Sequence, residues 1–265
     1  MLNNIKIIIE KIREQRPLIH HITNYVTAND SANITLAIGA SPVMAGEIKE
    51  VEQMAGQASA LVLNIGTLSA LSLEAMVVAG REAAAKGIPV IFDPVGAGAT
   101  DYRTGAAKRI LEEVRPDVIR GNMSEIAVLA GMNADIRGVD SVADESNAQT
   151  IAGRLSLELG CVVALTGKTD IIVSGSRVCR LDNGHIMLTR VTGTGCMASS
   201  LIDSCCSVTD AFSGAVTGTA IMGVAGELAQ QALRAGDGAG TFRMKLFDVI
   251  SHMNGELLSR HIRLS

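Results

Sequence analysis

The chain has 265 residues, 48% of them hydrophobic, with 23 Lys plus Arg against 27 Asp plus Glu and a formal net charge of -4. That length and apolar content can fill the core of one α/β domain spanning 1–265, while the acidic balance argues against gripping a polyphosphate backbone, so no nucleic-acid partner is expected. Aromatics make up 2% with no Trp, so base-stacking platforms are absent and any adenine pocket must be walled by aliphatic side chains and backbone.

At the start, Ile5, Ile8, Ile9 and Ile12 fall at helical spacing between charges, which predicts an amphipathic helix and not a signal peptide. Cys161, Cys179, Cys196, Cys205 and Cys206 are odd in number and contain no CxxC pair; neither a disulfide framework nor a zinc site is suggested, and a reducing cytoplasm fits. The uncharged stretch Gln53–Leu73 is broken by Gln57, Ser59, Asn64, Gly66, Thr67, Ser69 and Ser72, so it lacks the roughly 20-residue apolar span of a membrane helix. The expected location is cytoplasmic, with no membrane partner.

Further along, Pro17–Val26 gathers His20, His21, Thr23 and Asn24. Adjacent histidines point to opposite faces of a strand, so structural hydrogen bonding is expected of them, not a shared metal. A helix over Asn29–Ile38 leads into a Gly39–Met44 turn, which brings the polarizable Met44 toward Asn24. Apolar runs without polar alternation, Ala60–Asn64, Pro89–Asp93, Asp117–Arg120 and Cys161–Leu165, predict strands buried on both faces of a parallel sheet. Helices are expected between them at Ser69–Lys86, closed by Gly87, and from Asp140 or Ser141 to Gly160. Ile171–Val173, Arg177–Leu181 and His185–Leu188, separated by turn-forming clusters, predict a short antiparallel edge. Three helices follow from Gly195, with Gly236–Gly240 as a loop and Cys205 and Cys206 as core packing. The fold class is α/β, a mostly parallel central sheet with helices on both faces and a short antiparallel edge.

In such a sheet ligands lie at the carboxyl ends of the strands. The residues there are Asn64–Thr67, Asp93–Gly96, Arg120–Asn122 and Thr166–Lys168, more polar than turns require. Val191–Cys196 precedes a helical run, and its glycines, with Thr194 and Gly195, can aim successive amides at an anion beside a helix N-terminus. An ordinary Gly-rich turn capped by Thr194 fits the same residues. Cys196 falls in the first helical turn, where the dipole lowers a thiol pKa, so it can accept a proton from an attacking hydroxyl; a small buried hydrophobe is the other reading. Asp93 and Glu125 are candidate magnesium anchors against bridging phosphates, although Glu125 also suits helix capping with Ser124 or Asn122. Arg120, directly after a buried strand, points to phosphate binding. Thr166 and Gly167 can meet the nucleotide through hydroxyl and amide, and Asn24 can read a small polar ligand.

Six segments in this order, HHITNYV (20–26), LAIGASPVMA (36–45), NIGTL (64–68), DPVGAGA (93–99), IRGNMSEI (119–126) and VTGTGC (191–196), resemble the hydroxyethylthiazole kinase family of thiamin salvage. The resemblance implies a ribokinase-like fold, ATP as co-substrate, magnesium, and a homotrimer with active sites shared between protomers. It implies substrate-pocket roles for Asn24, Val26, Met44, Gly66 and Gly193, ATP contacts at Arg120 and Thr166, and an acidic metal pair at Asp93 and Glu125. Asn122 with Glu125 is similar to the NxxE pattern of the wider superfamily. There the loop usually ends in Asp as base; here Cys196 takes that place, which leaves the proton acceptor open between thiolate, phosphate oxygen and water. The alternatives are another ribokinase-like small-molecule kinase, and a non-catalytic trimeric thiazole-binding module. The kinase reading requires Val191–Cys196 to lie beside Asp93 and Arg120.

Overall fold

The computed structural model describes residues 2–132 and 142–265. Eight strands, β1 (Leu18–Ile22), β2 (Ser41–Met44), β3 (Ala60–Asn64), β4 (Val90–Asp93), β5 (Val118–Asn122), β6 (Val162–Thr166), β7 (Asp170–Ser174) and β8 (Arg177–Leu181), form one sheet in the order β2-β1-β3-β4-β5-β6-β7-β8. All pairings from β2 to β6 are parallel, and β7 and β8 add antiparallel. Around the sheet lie α1 (Leu2–Gln15), α2 (Ala28–Ile38), α3 (Val51–Ala55), α4 (Ala70–Ala85), α5 (Asp101–Glu113), α6 (Met123–Leu129), α7 (Val142–Leu159), α8 (Thr194–Cys206), α9 (Ala211–Gln231), α10 (Ala239–His252) and α11 (Gly255–His261).

The apolar runs become strands because both of their faces are covered. Ala60 and Val62 of β3 join the core with Ile9 of α1 and Leu201 of α8, whereas Leu61 and Leu63 join Met76 of α4 and Ile110 of α5 on the other face. The two-residue period of the strand thus feeds two separate cores. Helix α4 is fixed at its start, where Ser69 caps it by accepting from Ser72 N, and α1 by its buried face of Ile5, Ile8, Ile9 and Ile12, as its spacing requires. Glycine lets α9 lie directly on α8, since a Cβ at Gly218 would come within 2.5 Å of the Ile202 backbone.

Four expectations are corrected. Gly39–Met44 is not simply a turn: Ser41–Met44 pairs with β1 as an edge strand, where Pro42 is tolerated. His185–Leu188 is no strand but the start of a 3-10 turn, Ile186–Arg190, because His185 Nδ1 accepts from Met187 N (3.2 Å) and Leu188 is seated against Gly226 of α9. Four helices, not three, follow Gly195: the backbone leaves helical geometry at Met253, and Asn254 caps a new helix by accepting from Leu257 N (2.8 Å). Thr194 does not cap α8; Gly193 holds that position with φ 85 and no side-chain cap bond, while Thr194 Oγ1 donates to Leu188 O (3.0 Å). The expected start of α7 at Asp140 or Ser141 lies outside the described residues.

The two histidines of β1 are structural. His20 Nε2 donates to Ala45 O (2.7 Å), tying β1 to the residue after β2. The Thr35 hydroxyl donates to Ser31 O (2.8 Å), so it accepts from His21 Nε2 (3.3 Å). Burial holds both rings below the usual histidine range, His21 down to about 3.

Candidate active site

The parallel register sets polar residues side by side at the carboxyl edge: Asn64 opposite Asp93, and Asn122 opposite Thr166. Asn64 Nδ2 donates to Asp93 Oδ2 (2.9 Å) and to Cys196 Sγ (3.2 Å), and its Oδ1 accepts from Gly66 N (2.9 Å). Asn24 Nδ2 donates to Asn64 Oδ1 (2.9 Å) and Cys196 Sγ (3.3 Å), while its Oδ1 accepts from Thr27 N and Thr27 Oγ1, both at 3.0 Å. Each amide is therefore fixed in orientation by its other partners, and both aim an N–H at one sulfur. The loop residues close in behind: a Cβ at Gly66 would meet Asn24 at 2.9 Å, and one at Gly193 would meet Thr27 at 2.6 Å. Glycine is required at 193 on both counts, positive φ and close approach.

Helix α8 begins here with bare amides. Its first intrahelical bond runs from Met197 N to Gly193 O (2.8 Å), which leaves the N–H groups of Thr194, Gly195 and Cys196 ahead of the hydrogen-bonded turns. Arg120 lies against this nest, since a Cβ on Gly195 would come within 2.6 Å of Arg120 Nη1. The guanidinium is only 14% exposed; it donates from Nη2 to Thr166 Oγ1 (2.9 Å) and stands 3.9 Å from Asp93 Oδ2, with Nε buried and unpartnered. A buried donor left unmade costs about 1–3 kcal/mol, so this arginine is built for an anion that completes its bonding. The loop, Asp93 and Arg120 are thus one site, as the kinase reading requires.

Cys196 differs from its expectation. Burial and then the charge of Asp93 push the thiol above its ordinary value, against hydrogen bonds involving Thr27, Asn24 and Asn64. The first-turn position does not overcome desolvation, and the resting group is a neutral thiol. Asp93, fully buried, is likewise pushed up by burial against the pull of Arg120, Ser199 and Asn64, and its Oδ1 has no hydrogen-bond partner. Glu125 is raised by burial and by Asp93, although the amides of Gly96 and Asn122 pull the other way. Its oxygens accept from Gly96 N and Asn122 N, each at 2.9 Å, and Asn122 Oδ1 accepts from Glu125 N (3.0 Å), a reciprocal capping box. Two acids held against their ionised state, one with a bare inward oxygen, suit a hydrated divalent cation bound mainly through phosphates and water. Among the described residues no cluster of three or more His, Cys, Asp or Glu is arranged as a metal cage.

Beyond α8 opens a cleft of about 540 Å³ lined by Arg120, Thr166, Gly167, Lys168, Thr194 and Gly195 together with residues no motif announced, among them His185, Ile186, Thr219 and Met222. Its apolar part is aliphatic, from Ile186, Leu188, Ala198 and Met222, in keeping with the shortage of aromatics. Gly167 lines it, but its amide donates to Asp170 Oδ1 (2.9 Å) and is not offered to a ligand. Asn122 and Glu125 lie outside the lining. On the opposite side of Cys196, Val26 and Met44 stand 58% and 41% exposed.

An amide nest ending on an underused guanidinium and opening beside a bare carboxylate oxygen suits phosphoryl transfer. The fold agrees, for a ribokinase-like superfamily protein from Enterococcus faecalis aligns over 93% of this chain and 94% of its own with TM-score 0.63 at 12% identity, a likeness of fold alone. The class is a ribokinase-like small-molecule kinase. Within that class the chain belongs to the hydroxyethylthiazole kinase family, whose model matches residues 9–256. It is 49% identical over 254 residues to hydroxyethylthiazole kinase of Alkaliphilus oremlandii, covering 95% of this chain and 94% of the relative. It also aligns with the structure of hydroxyethylthiazole kinase protein from Pyrococcus horikoshii at TM-score 0.90 and 36% identity, over 99% of this chain and 98% of that one.

Proposed function

We propose that this chain transfers the γ-phosphoryl group of ATP to the hydroxyl of 4-methyl-5-(2-hydroxyethyl)thiazole in thiamin salvage. The observation that carries this reading is the position of Cys196, which lies between the Asn24–Asn64 amides on one side and, through Gly195 and Arg120, the cleft on the other. ATP occupies the cleft with its phosphates toward Arg120, Thr166 and the amides of Thr194, Gly195 and Cys196. The thiazole lies toward Asn24, Val26, Met44, Gly66 and Gly193. Asp93, with its bare oxygen, and Glu125, fixed by Asn122, are the residues that would hold Mg2+, which would supply neutralisation of phosphate charge.

Phosphoryl transfer with a loose transition state asks little covalent help of the protein, so alignment and charge stabilisation dominate. The α8 amides face the oxygens of the transferring group and Arg120 closes its equatorial side. Cys196 Sγ, held by two amide donors, orients the substrate hydroxyl. Its raised pKa keeps it protonated and so unavailable as a base, and the hydroxyl proton passes to an oxygen of the transferred phosphoryl group as the new O–P bond forms and the bond to ADP breaks.

Exposed Tyr25, Val26 and Met44 beside the thiazole side are covered by a neighbouring protomer in a homotrimer. The enzyme works in the cytoplasm; no helix of the described residues is long and apolar enough to cross a membrane.

A coupled ADP-release assay with the thiazole, with and without magnesium, tests the reading. Magnesium-dependent ADP release is expected. Release with a hydroxymethylpyrimidine alone moves the assignment to another small-molecule kinase, and thiazole binding without ADP release moves it to a binding module.

A further inference from the structure

We propose that Glu227 and Arg263 are positioning residues for the nucleotide, clamping the 182–185 segment into the wall of the 540 Å³ cleft. The proposal rests on the reading of that cleft as the ATP site.

Asn183, Gly184 and His185 line the cleft, yet they follow the end of β8 at Leu181 and precede the 3-10 turn at Ile186. No strand pairing holds them, so another device must. Helix α9 supplies it on one face. A Cβ at Gly223 would come within 2.8 Å of Asn183 O, and one at Gly226 within 2.8 Å of Leu188, so the segment lies directly on the helix. Glu227, four residues after Gly223 and thus on the same face, reaches over it. Its Oε1 accepts from Gly184 N (2.8 Å) and Arg263 Nη2 (2.6 Å), and its Oε2 from Asn183 Nδ2 (3.2 Å) and Arg263 Nη1 (3.0 Å).

Arg263 closes the other side. Its Nη2 also donates to Asp182 O, and its backbone N–H donates to Asn183 Oδ1 (2.6 Å). Asn183 Nδ2 makes a second bond to His261 O (2.9 Å), so the Asn183 amide has every direction fixed. An exposed ion pair alone contributes little. Here, however, the Glu227 side chain is 15% exposed and receives four donors, a network that locks the wall residues Asn183 and Gly184 together with Asp182 before them. Burial pushes Glu227 up, but the bonds from Arg263, Gly184 and Asn183 outweigh it and leave the group below its usual range, ionised in the fold. None of these residues touches Cys196, Asp93 or the thiazole side, so the clamp acts on nucleotide binding and not on the chemical step.

The test is steady-state kinetics on Glu227→Ala, Arg263→Ala and the double variant. The KM for ATP is expected to rise about tenfold, with the KM for the thiazole and kcat at saturating ATP within about twofold. The double variant should be no worse than Glu227→Ala, and Arg263→Lys, which keeps the charge but not the fork, should lie between Arg263→Ala and the parent. An unchanged KM for ATP in folded Glu227→Ala, or equal losses for both substrates, overturns the proposal. If Glu227→Ala does not fold, the more exposed Arg263→Ala carries the same expectation and the same refutation. Ala198→Leu, which fills the cleft from α8, separates the two layers. If it leaves the KM for ATP unchanged, the nucleotide is not in the cleft and both readings fail; if it raises that KM while the clamp variants are silent, the clamp alone fails.

Discussion

On the β6–β7 side of α8, the cleft is walled within one chain by strand ends, the 183–189 segment and α9, whereas on the β1–β2 side Tyr25, Val26 and Met44 stand 82%, 58% and 41% exposed. The contrast shows where specificity must be supplied. A phosphate-bearing ligand finds backbone amides, Arg120 and a wall with Ile186, Leu188, Ala198 and Met222 already in place, so little ordering remains to be done on binding. A small flat ring finds fixed polar groups, Asn24 and the Cys196 sulfur, but no apolar enclosure. In the proposed homotrimer a neighbouring protomer supplies the missing cover.

Substitution at the junction of the two sides should have the largest effect. Arg120→Ala removes the charge that faces the α8 amides and should lower kcat/KM for ATP by about 10²–10³-fold; Asp93→Asn should raise the magnesium concentration needed for half-maximal rate. Retained activity in the first, or an unchanged magnesium titration in the second, would separate the cleft from the chemistry. Next comes Cys196→Ala. Because the thiol is pushed up and rests protonated, its loss should cost only about tenfold in kcat, less than the roughly 10²–10⁴-fold of a positioned acid–base group. Cys196→Asp should equal or exceed the parent, and identical rates in all three exclude a proton-handling role.

On the open side, Val26→Asp should raise the KM for the thiazole several-fold, ~3–10, leave the KM for ATP alone, and shift the sedimentation profile toward smaller species. A change confined to ATP would invert the comparison. The smallest effect lies deeper in α8, at Asp203, which is fully buried with both oxygens lacking a hydrogen-bond partner. Burial, then Asp117, raises its carboxyl well above the ordinary 3.8. It is neutral in the fold but ionises when unfolded, so it favours the native state only at low pH and weighs against it as pH rises past the unfolded value. Asp203→Asn should therefore raise Tm by roughly 3 °C, more at pH 8 than at pH 5, and a fall at both would show that the carboxyl has a partner.

Legibility in the sequence followed locality. The four central strands could be placed within two residues because a run such as Ala60–Asn64 has no exposed face to encode, and the polar residue at its end marks the ligand edge directly. Ser69 and Gly87 announced the limits of α4 for local reasons of capping and positive φ. Ile186–Arg190 misled because its apolar spacing suits a strand, while its conformation is decided by Gly226, distant in the chain. Of the site, Asn24, Asp93 and Arg120 were visible as polar residues after apolar runs, and Cys196 as the end of a Gly-rich loop before a helix. The rest of the cleft wall was not, since His185, Thr219 and Met222 come from separate segments brought together only by the sheet and α9. Nor was the thiol's raised pKa, which depends on how deeply the first turn of α8 is buried.

The histidine pair of β1 has a spectroscopic consequence. Both rings carry their proton on Nε2, one bonded to Ala45 O and the other to Thr35 Oγ1, with each Nδ1 bare and buried. In an NMR spectrum they should give two slowly exchanging downfield imidazole resonances that stay put across the neutral pH range. These signals form an internal gauge of whether the acceptor-side edge of the sheet keeps its register when ligands arrive.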